Sequence, residues 1–156
     1  MIPRLPSNCE GVDKLLAGGI EQGTVSLVYG EAGTGKTSLA LQLSREAIKS
    51  SSDHVVLFVD TEGLSLERMA QIFGDIDPSK LLMIRPSSLT DLHQTLTRKL
   101  EKHPKISLIV VDTINAYVRL SYLKNKELSS RQFLEMTSIR QPLAEKGDYP
   151  VLISAQ

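Results

Sequence analysis

The sequence is poor in the residues that stabilise small secreted proteins: it has one cysteine, Cys9, and no tryptophan. A single cysteine excludes both a disulfide framework within the chain and a metal site built from several cysteines. No apolar run approaches the roughly 20 residues needed to span a bilayer, and residues 1–6 lack the pattern of a secretory signal. We therefore expect a protein of the reducing cytoplasm that has no membrane segment.

The chain also lacks net charge, because 18 basic residues balance 18 acidic ones. No strong basic field points to nucleic acid, so any such contact has to come from a local patch. A length of 156 residues with 41% hydrophobic residues is enough for one globular domain with a sizeable core.

Residues 30–37, with the sequence GEAGTGKT, fit the pattern G-x-x-x-x-G-K-[ST] and follow the apolar residues 24–29. A sharp turn from a strand into a helix aims several backbone N–H groups at a polyphosphate, and glycines keep side chains out of the way. The sequence therefore predicts a phosphate-binding loop. Its candidate nucleotide-binding residues are Gly30, Glu31, Ala32, Gly33, Thr34, Gly35, Lys36, Thr37 and Ser38.

Two side chains of this loop carry the predicted chemistry. Lys36 is placed to reach the β and γ phosphates of a nucleoside triphosphate, and the Thr37 hydroxyl is placed to ligate Mg²⁺. The helix that opens near Lys36 adds its partial positive charge and its unpaired N–H groups.

Hydrophobic patterns predict five strands and several helices. The predicted strands are residues 24–29, 54–60, 81–84, 106–112 and 149–154. The predicted helices are a short leading helix with capping residues near 7–9, then 38–48, 65–73, 89–100 closed by Pro104, and 132–144. Residues 20–23 are expected to form only a turn. This alternation of strands and helices predicts an α/β fold, a parallel sheet with helices on both faces.

Polar side chains stand at the ends of three predicted strands, where ligands of such sheets bind. Asp112 follows four apolar residues and matches the Walker B pattern, which orients Mg²⁺ together with Thr37; it could instead cap the next turn. Glu62 is the candidate base for an attacking water, although a glutamate in a turn is often only solvated. Gln156 could sense the γ-phosphate or be an ordinary terminal residue.

Residues 58–63 with 66–68, and residues 110–114 with 117–119, resemble the archaeal and eukaryotic RecA-like recombinases. Residues 11–20 are similar to the segment that precedes their phosphate loop. The resemblance implies a RecA-like P-loop ATPase core that binds ATP and Mg²⁺. Because the chain stops on a strand, we expect this core, residues 1–156, to be C-terminally incomplete.

The resemblance also implies roles for individual residues. Lys36 and Thr37 hold the triphosphate and magnesium, Asp112 is the Walker B acid and Glu62 activates water. Arg68 lies over the adenine, and Gln156 couples the γ-phosphate to DNA binding. By location, residues 119–131 with Lys124 and Lys126 match the first DNA-binding loop, or else form a solvated charged loop.

Few residues precede the leading segment, so the resemblance is to a short archaeal paralogue without the N-terminal domain of full recombinases. It implies single-stranded DNA, a RadA-type recombinase or other recombination proteins as partners, and a possible homo-oligomer. Two alternatives remain open: a KaiC-like signalling ATPase that acts through protein partners, and an adaptor whose hydrolysis is vestigial. The signalling proteins usually carry paired glutamates after the second strand, where this chain has Asp60-Thr61-Glu62-Gly63.

Overall fold

The computed structural model describes residues 1–103, 105–116 and 148–156 of the chain. In chain order, its elements are β1 (Arg4–Leu5), α1 (Glu10–Leu15), β2 (Ile20–Glu21), β3 (Val25–Tyr29), α2 (Lys36–Ser50), β4 (Val55–Asp60), α3 (Leu66–Phe73), a 3₁₀ turn (Pro78–Lys80), β5 (Leu81–Ile84), α4 (Leu89–Lys102), β6 (Ile106–Asp112) and β7 (Val151–Ala155). The predicted helix over 132–144, the loop over 119–131 and Pro104 lie outside the described residues.

Five of the strands form one parallel sheet in the order β3-β7-β6-β4-β5. The predicted α/β class, with a parallel sheet between helices, is therefore confirmed. Strand β4 lies inside the sheet between β6 and β5, as its nearly unbroken apolar run predicts.

Two hydrophobic clusters lie on opposite faces of this sheet. On one face, Leu41 of α2 and Phe73 of α3 join Phe58 and Val110 of the central strands. On the other face, the α4 residues Leu92 and Leu96 pack with alternate residues of the same strands, including Leu57, Val59, Ile109 and Val111. Burial on both faces explains why neither β4 nor β6 alternates polar with apolar residues. None of the described helices is long and apolar enough to cross a bilayer.

Strand β3 differs from the other strands because one of its faces is open. Val25, Leu27 and Tyr29 are 36%, 65% and 80% exposed, whereas Val28 on the opposite face packs against the first cluster. Among the described strands, β3 is an edge strand that pairs only with β7. Its carboxyl end nevertheless lies level with that of β7, which brings the following loop to the sheet edge where the other strands end.

Residues 20–23 do more than turn the chain, which corrects the expectation from the sequence. Ile20 and Glu21 pair with Leu5 and Arg4 as a small antiparallel sheet. The Arg4 guanidinium donates to the carbonyls of Leu16 and Gly19, at 2.8 and 3.2 Å, and pairs with the Glu21 carboxylate. These contacts close the N-terminal segment around α1.

The start of α1 also differs from the predicted capping. Cys9 is the N-cap residue and its side chain makes no capping bond. Instead, the Ser7 backbone N–H and hydroxyl each donate to the Asp13 carboxylate at 2.7 Å. Burial raises the pKa of Asp13, but hydrogen bonds from Ser7 and from the backbone of Asn8 and Cys9 outweigh it and hold the pKa below its usual value.

Gly19 is the position where this segment tolerates no side chain. Its φ is +128°, and a Cβ built on it would lie 2.1 Å from the Leu5 carbonyl oxygen. We expect Gly19→Ala to lower the free energy of unfolding by at least about 2 kcal/mol, measured by urea denaturation. In the control Gly11→Ala, the new methyl meets no atom within 4 Å and replaces a helical glycine, so stability should rise by roughly 0.5 kcal/mol. Equal midpoints for the two variants would contradict the packing of Gly19 against β1.

Candidate nucleotide site

A cavity of about 280 Å³ lies at the carboxyl edge of the sheet. It is formed by the loop between β3 and α2, the turn after β4 and the ends of β6 and β7. The lining residues are Ala32, Gly33, Gly35, Lys36, Thr37, Ser38, Glu62, Arg68, Asp112, Thr113 and Gln156. The structure therefore brings together residues that are as far apart as 32 and 156 in the sequence.

The loop turns into α2 at Gly35. This residue is the N-cap of α2 and has a φ of 93°, in the left-handed region that favours glycine. Helix α2 begins at Lys36, so its first N–H groups and the positive end of its dipole face the cavity. Such a helix start attracts anions, and phosphate groups are suitable ligands for it.

The Lys36 ammonium is held by the loop itself. Its Nζ donates to the carbonyl oxygens of Gly30 and Glu31, at 2.7 and 2.6 Å. The Thr34 hydroxyl also donates to the Glu31 carbonyl, at 2.8 Å. These bonds fold the loop around the lysine and fix the position of its charge.

Three of the predicted loop residues do not line this cavity. Gly30 and Thr34 line a neighbouring cavity of about 820 Å³ between α1, α2 and α3, and Glu31 lines neither of the two. The Gly30 and Glu31 carbonyls and the Thr34 hydroxyl instead make the bonds within the loop described above. Arg68 lines both cavities, which places it where the two meet.

Thr37 and Asp112 supply the oxygen atoms that suit a magnesium ion. Asp112 is 7% exposed, and the Ser154 hydroxyl donates to its Oδ1. No group of three or more metal-ligating side chains occurs among the described residues. A hydroxyl and one carboxylate fit Mg²⁺, which keeps several waters and takes its other ligands from phosphates. The donor set therefore fits the predicted ion.

Glu62 projects from a turn that Asp60 stabilises. Asp60 is 5% exposed; its Oδ1 accepts from the Gly63 N–H at 2.9 Å, and its Oδ2 accepts from the Leu64 N–H at 2.8 Å. The Arg85 guanidinium at the end of β5 also donates to Oδ2, at 3.0 Å. The Asp60 carboxylate thus fixes the backbone that follows Glu62, whose own side chain is exposed in the cavity wall.

The last strand contributes Gln156. Its backbone carbonyl accepts from the Asn115 side-chain amide at 2.5 Å, which ties the end of β7 to the segment after β6. Gln156 lines the same cavity as Glu62 and Asp112. The three strand-end residues singled out from the sequence therefore face one space, and their roles remain predictions.

Several residues around this site were not predicted from the sequence. Thr113 lines the cavity directly after Asp112, and Asp60 and Arg85 support the turn that carries Glu62. All three lie at the carboxyl ends of strands, where ligands of such sheets bind. The sequence could have indicated them for the same reason that it indicated Asp112. The proposed DNA-binding loop, residues 119–131, lies outside the described residues.

Comparisons with known proteins agree with this geometry. The sequence model of the Rad51 family matches residues 2–156. The chain is 35% identical over 161 aligned residues to the "DNA repair and recombination protein RadB" of Methanococcoides burtonii, covering 98% of this chain and 70% of that protein. It is 34% identical to the protein of the same name from Archaeoglobus fulgidus, with 97% and 70% covered. The predicted resemblance to recombinases is confirmed, and the signalling alternative is not favoured.

The support that Asp60 gives to the Glu62 turn can be measured through stability. Asp60→Asn replaces an oxygen that faces donors with an NH₂ group, so we expect the free energy of unfolding to fall by about 1–3 kcal/mol in chemical denaturation. The control is Arg85→Ala. Because the Arg85 side chain is 63% exposed, its loss should cost less than about 1 kcal/mol. An asparagine variant as stable as the parent would argue against this role of the carboxylate.

Proposed function

The chain belongs to the Rad51 family, and we propose that it is an ATP-binding, weakly hydrolysing recombinase paralogue that binds DNA and assists homologous recombination and DNA repair. The observation that carries this proposal is the cavity shared by Lys36, Thr37, Glu62 and Asp112. The matched relatives are named for DNA repair and recombination, which supports the cellular role. We propose that residues 1–156 belong to one RecA-like core and that the protein acts inside the cell.

ATP binding depends on the loop and on the helix that follows it. The first N–H groups of α2 and the Lys36 ammonium face the position of the phosphates, with Ser38 beside them. Thr37 and Asp112 would hold a magnesium ion, which would neutralise part of the phosphate charge. Arg68, at the junction of the two cavities, lies over the adenine.

Hydrolysis requires a water molecule in line with the γ-phosphate. Glu62 accepts a proton from this water, and Gln156 on the neighbouring strand end contacts the γ-phosphate through its amide. Phosphoryl transfer depends mainly on positioning and on charge stabilisation, and the described wall contains Lys36 and Arg68 as its cations. Turnover is therefore slow in the protein alone and rises when DNA or a partner supplies a further group.

The family and the sequence support a proposal for the partners. Single-stranded DNA contacts residues 119–131, with Lys124 and Lys126 on its phosphates. A RadA-type recombinase, or another recombination protein, is the protein that this chain assists.

The contribution of Lys36 can be tested by substitution. Lys36→Ala removes the ammonium that pairs with the β and γ phosphates, and we expect the affinity for a fluorescent ATP analogue to fall at least tenfold, or about 1.4 kcal/mol. Binding is measured by fluorescence anisotropy with Mg²⁺ present. Lys49→Ala, near the far end of α2, is the matched control and should bind as the parent does. Unchanged affinity in Lys36→Ala would overturn the assignment of the site.

The salt dependence of DNA affinity distinguishes the proposed function from functions that involve protein partners alone. For single strands, the slope of log affinity against log salt is about −0.7 for each phosphate contacted, so affinity for labelled single-stranded DNA should fall steeply as salt is added. Replacing Lys124 and Lys126 with alanine should make the slope shallower by about 0.7 per lost contact. Alanine at Lys99 and Lys102 of α4 is the charge-matched control. A flat response in the parent would favour a function through protein partners alone.

A further inference from the structure

Hydrogen bonds join the ends of β4 and β6 beneath the cavity. The Thr61 hydroxyl donates to the carbonyl oxygen of Thr113 at 2.8 Å and accepts from the N–H of the same residue at 3.0 Å. The Thr61 N–H donates in turn to the Asp112 carbonyl, at 3.0 Å. A single hydroxyl thus satisfies both backbone groups of Thr113, directly after the last residue of β6.

The same connection continues to β7. The Thr113 hydroxyl donates to the Ser154 carbonyl at 3.0 Å, and the Ser154 hydroxyl donates to the Asp112 carboxylate. Thr113 and Ser154 are 2% and 1% exposed, so water cannot readily replace these bonds. The position of Asp112 is therefore linked through Thr113 to the position of Thr61.

We infer that Thr61 is a positioning residue, whose hydroxyl holds the turn that carries Glu62 against the segment that carries Asp112. This inference rests on the proposed function, because it assigns to Thr61 a role in ATP hydrolysis. The Asp60 carboxylate fixes the shape of the turn by binding Gly63 and Leu64, whereas Thr61 fixes the turn to the neighbouring strand. The bonds of Asp60 and the bond of Thr61 together fix the distance between Glu62 and Asp112.

The chemistry of the contact limits which side chains can replace threonine. The hydroxyl must donate and accept at the same time, which serine can do and valine, of the same shape, cannot. Valine would also leave the Thr113 N–H and carbonyl without this partner in a site that is nearly closed to solvent. Thr61→Val therefore removes the hydroxyl and keeps the shape, whereas Thr61→Ser keeps the hydroxyl and removes only the methyl group.

The first measurement is amide hydrogen exchange, which needs no turnover. In Thr61→Val, we expect faster exchange in residues 61–64 and in residues 112–115, because the link between the two segments is lost. Thr61→Ser should exchange as the parent does. Equal exchange in the valine variant and the parent would overturn the inference. If the valine variant does not fold, Thr61→Ala removes the same hydroxyl with less bulk and replaces it in the test.

The second measurement is steady-state ATP turnover, with nucleotide affinity measured separately. We expect Thr61→Val to lower kcat by about 10- to 100-fold, the usual cost of misplacing a catalytic group, with affinity within about twofold of the parent. Thr61→Ser should restore most of the rate. If Thr61 acts through Glu62, adding Thr61→Val to Glu62→Gln should cause little further loss.

The outcomes separate this inference from the function on which it rests. The positioning role is wrong if Thr61→Val has the same kcat as the parent. It is also wrong if kcat of the double variant falls by the product of the two single losses. Equal turnover by Glu62→Gln and the parent contradicts the proposed role of Glu62 instead. In that case, amide hydrogen exchange still tests the link between residues 61–64 and 112–115. Faster exchange in Thr61→Val than in Thr61→Ser supports the link, and equal exchange overturns it.

Discussion

The register of the parallel strands is the constraint on which the rest of the structure depends. Asp60 lies opposite Asp112 in the last pair of the β4–β6 ladder, and Tyr29 lies opposite Ala155 in the last pair of the β3–β7 ladder. Because these strands end level with one another, the phosphate loop, the Glu62 turn, Thr113 and Gln156 meet at one edge. A slip of one residue in any ladder would turn its side chains to the other face of the sheet and separate these groups.

The elements of the main sheet could be predicted from the sequence because burial determines their composition. The bounds of β5 and β6 agree with the apolar runs at 81–84 and 106–112, since both strands contribute buried residues to the clusters on the two faces of the sheet. The two-residue strands β1 and β2 could not be predicted, because they are too short to show a period of two. Their pairing depends on the Arg4 guanidinium, which contacts residues 12 to 17 positions away.

The candidate site could be predicted only as a set of positions. Motif spacing and the rule about strand ends identified Lys36, Thr37, Glu62 and Asp112, and all four line one cavity. The sequence carries no signal for the lateral bonds between them, because the direction of the Thr61 hydroxyl depends on a contact with a residue 52 positions away. The same reason applies to the Arg85–Asp60 ion pair, whose partners lie on neighbouring strands. Tertiary contacts of this kind arise only once the sheet has formed.

The bonds between Lys36 and its own loop bear on the proposed binding of a nucleotide. The ammonium already has two carbonyl partners, those of Gly30 and Glu31. An incoming phosphate chain therefore gains only the difference between its own attraction for the ammonium and that of the carbonyls it displaces. Under the proposed function, a tail of two or three phosphates compensates for the displaced carbonyls better than a single phosphate does, because it carries more negative charge. The loop itself would then favour longer phosphate chains, without any steric barrier.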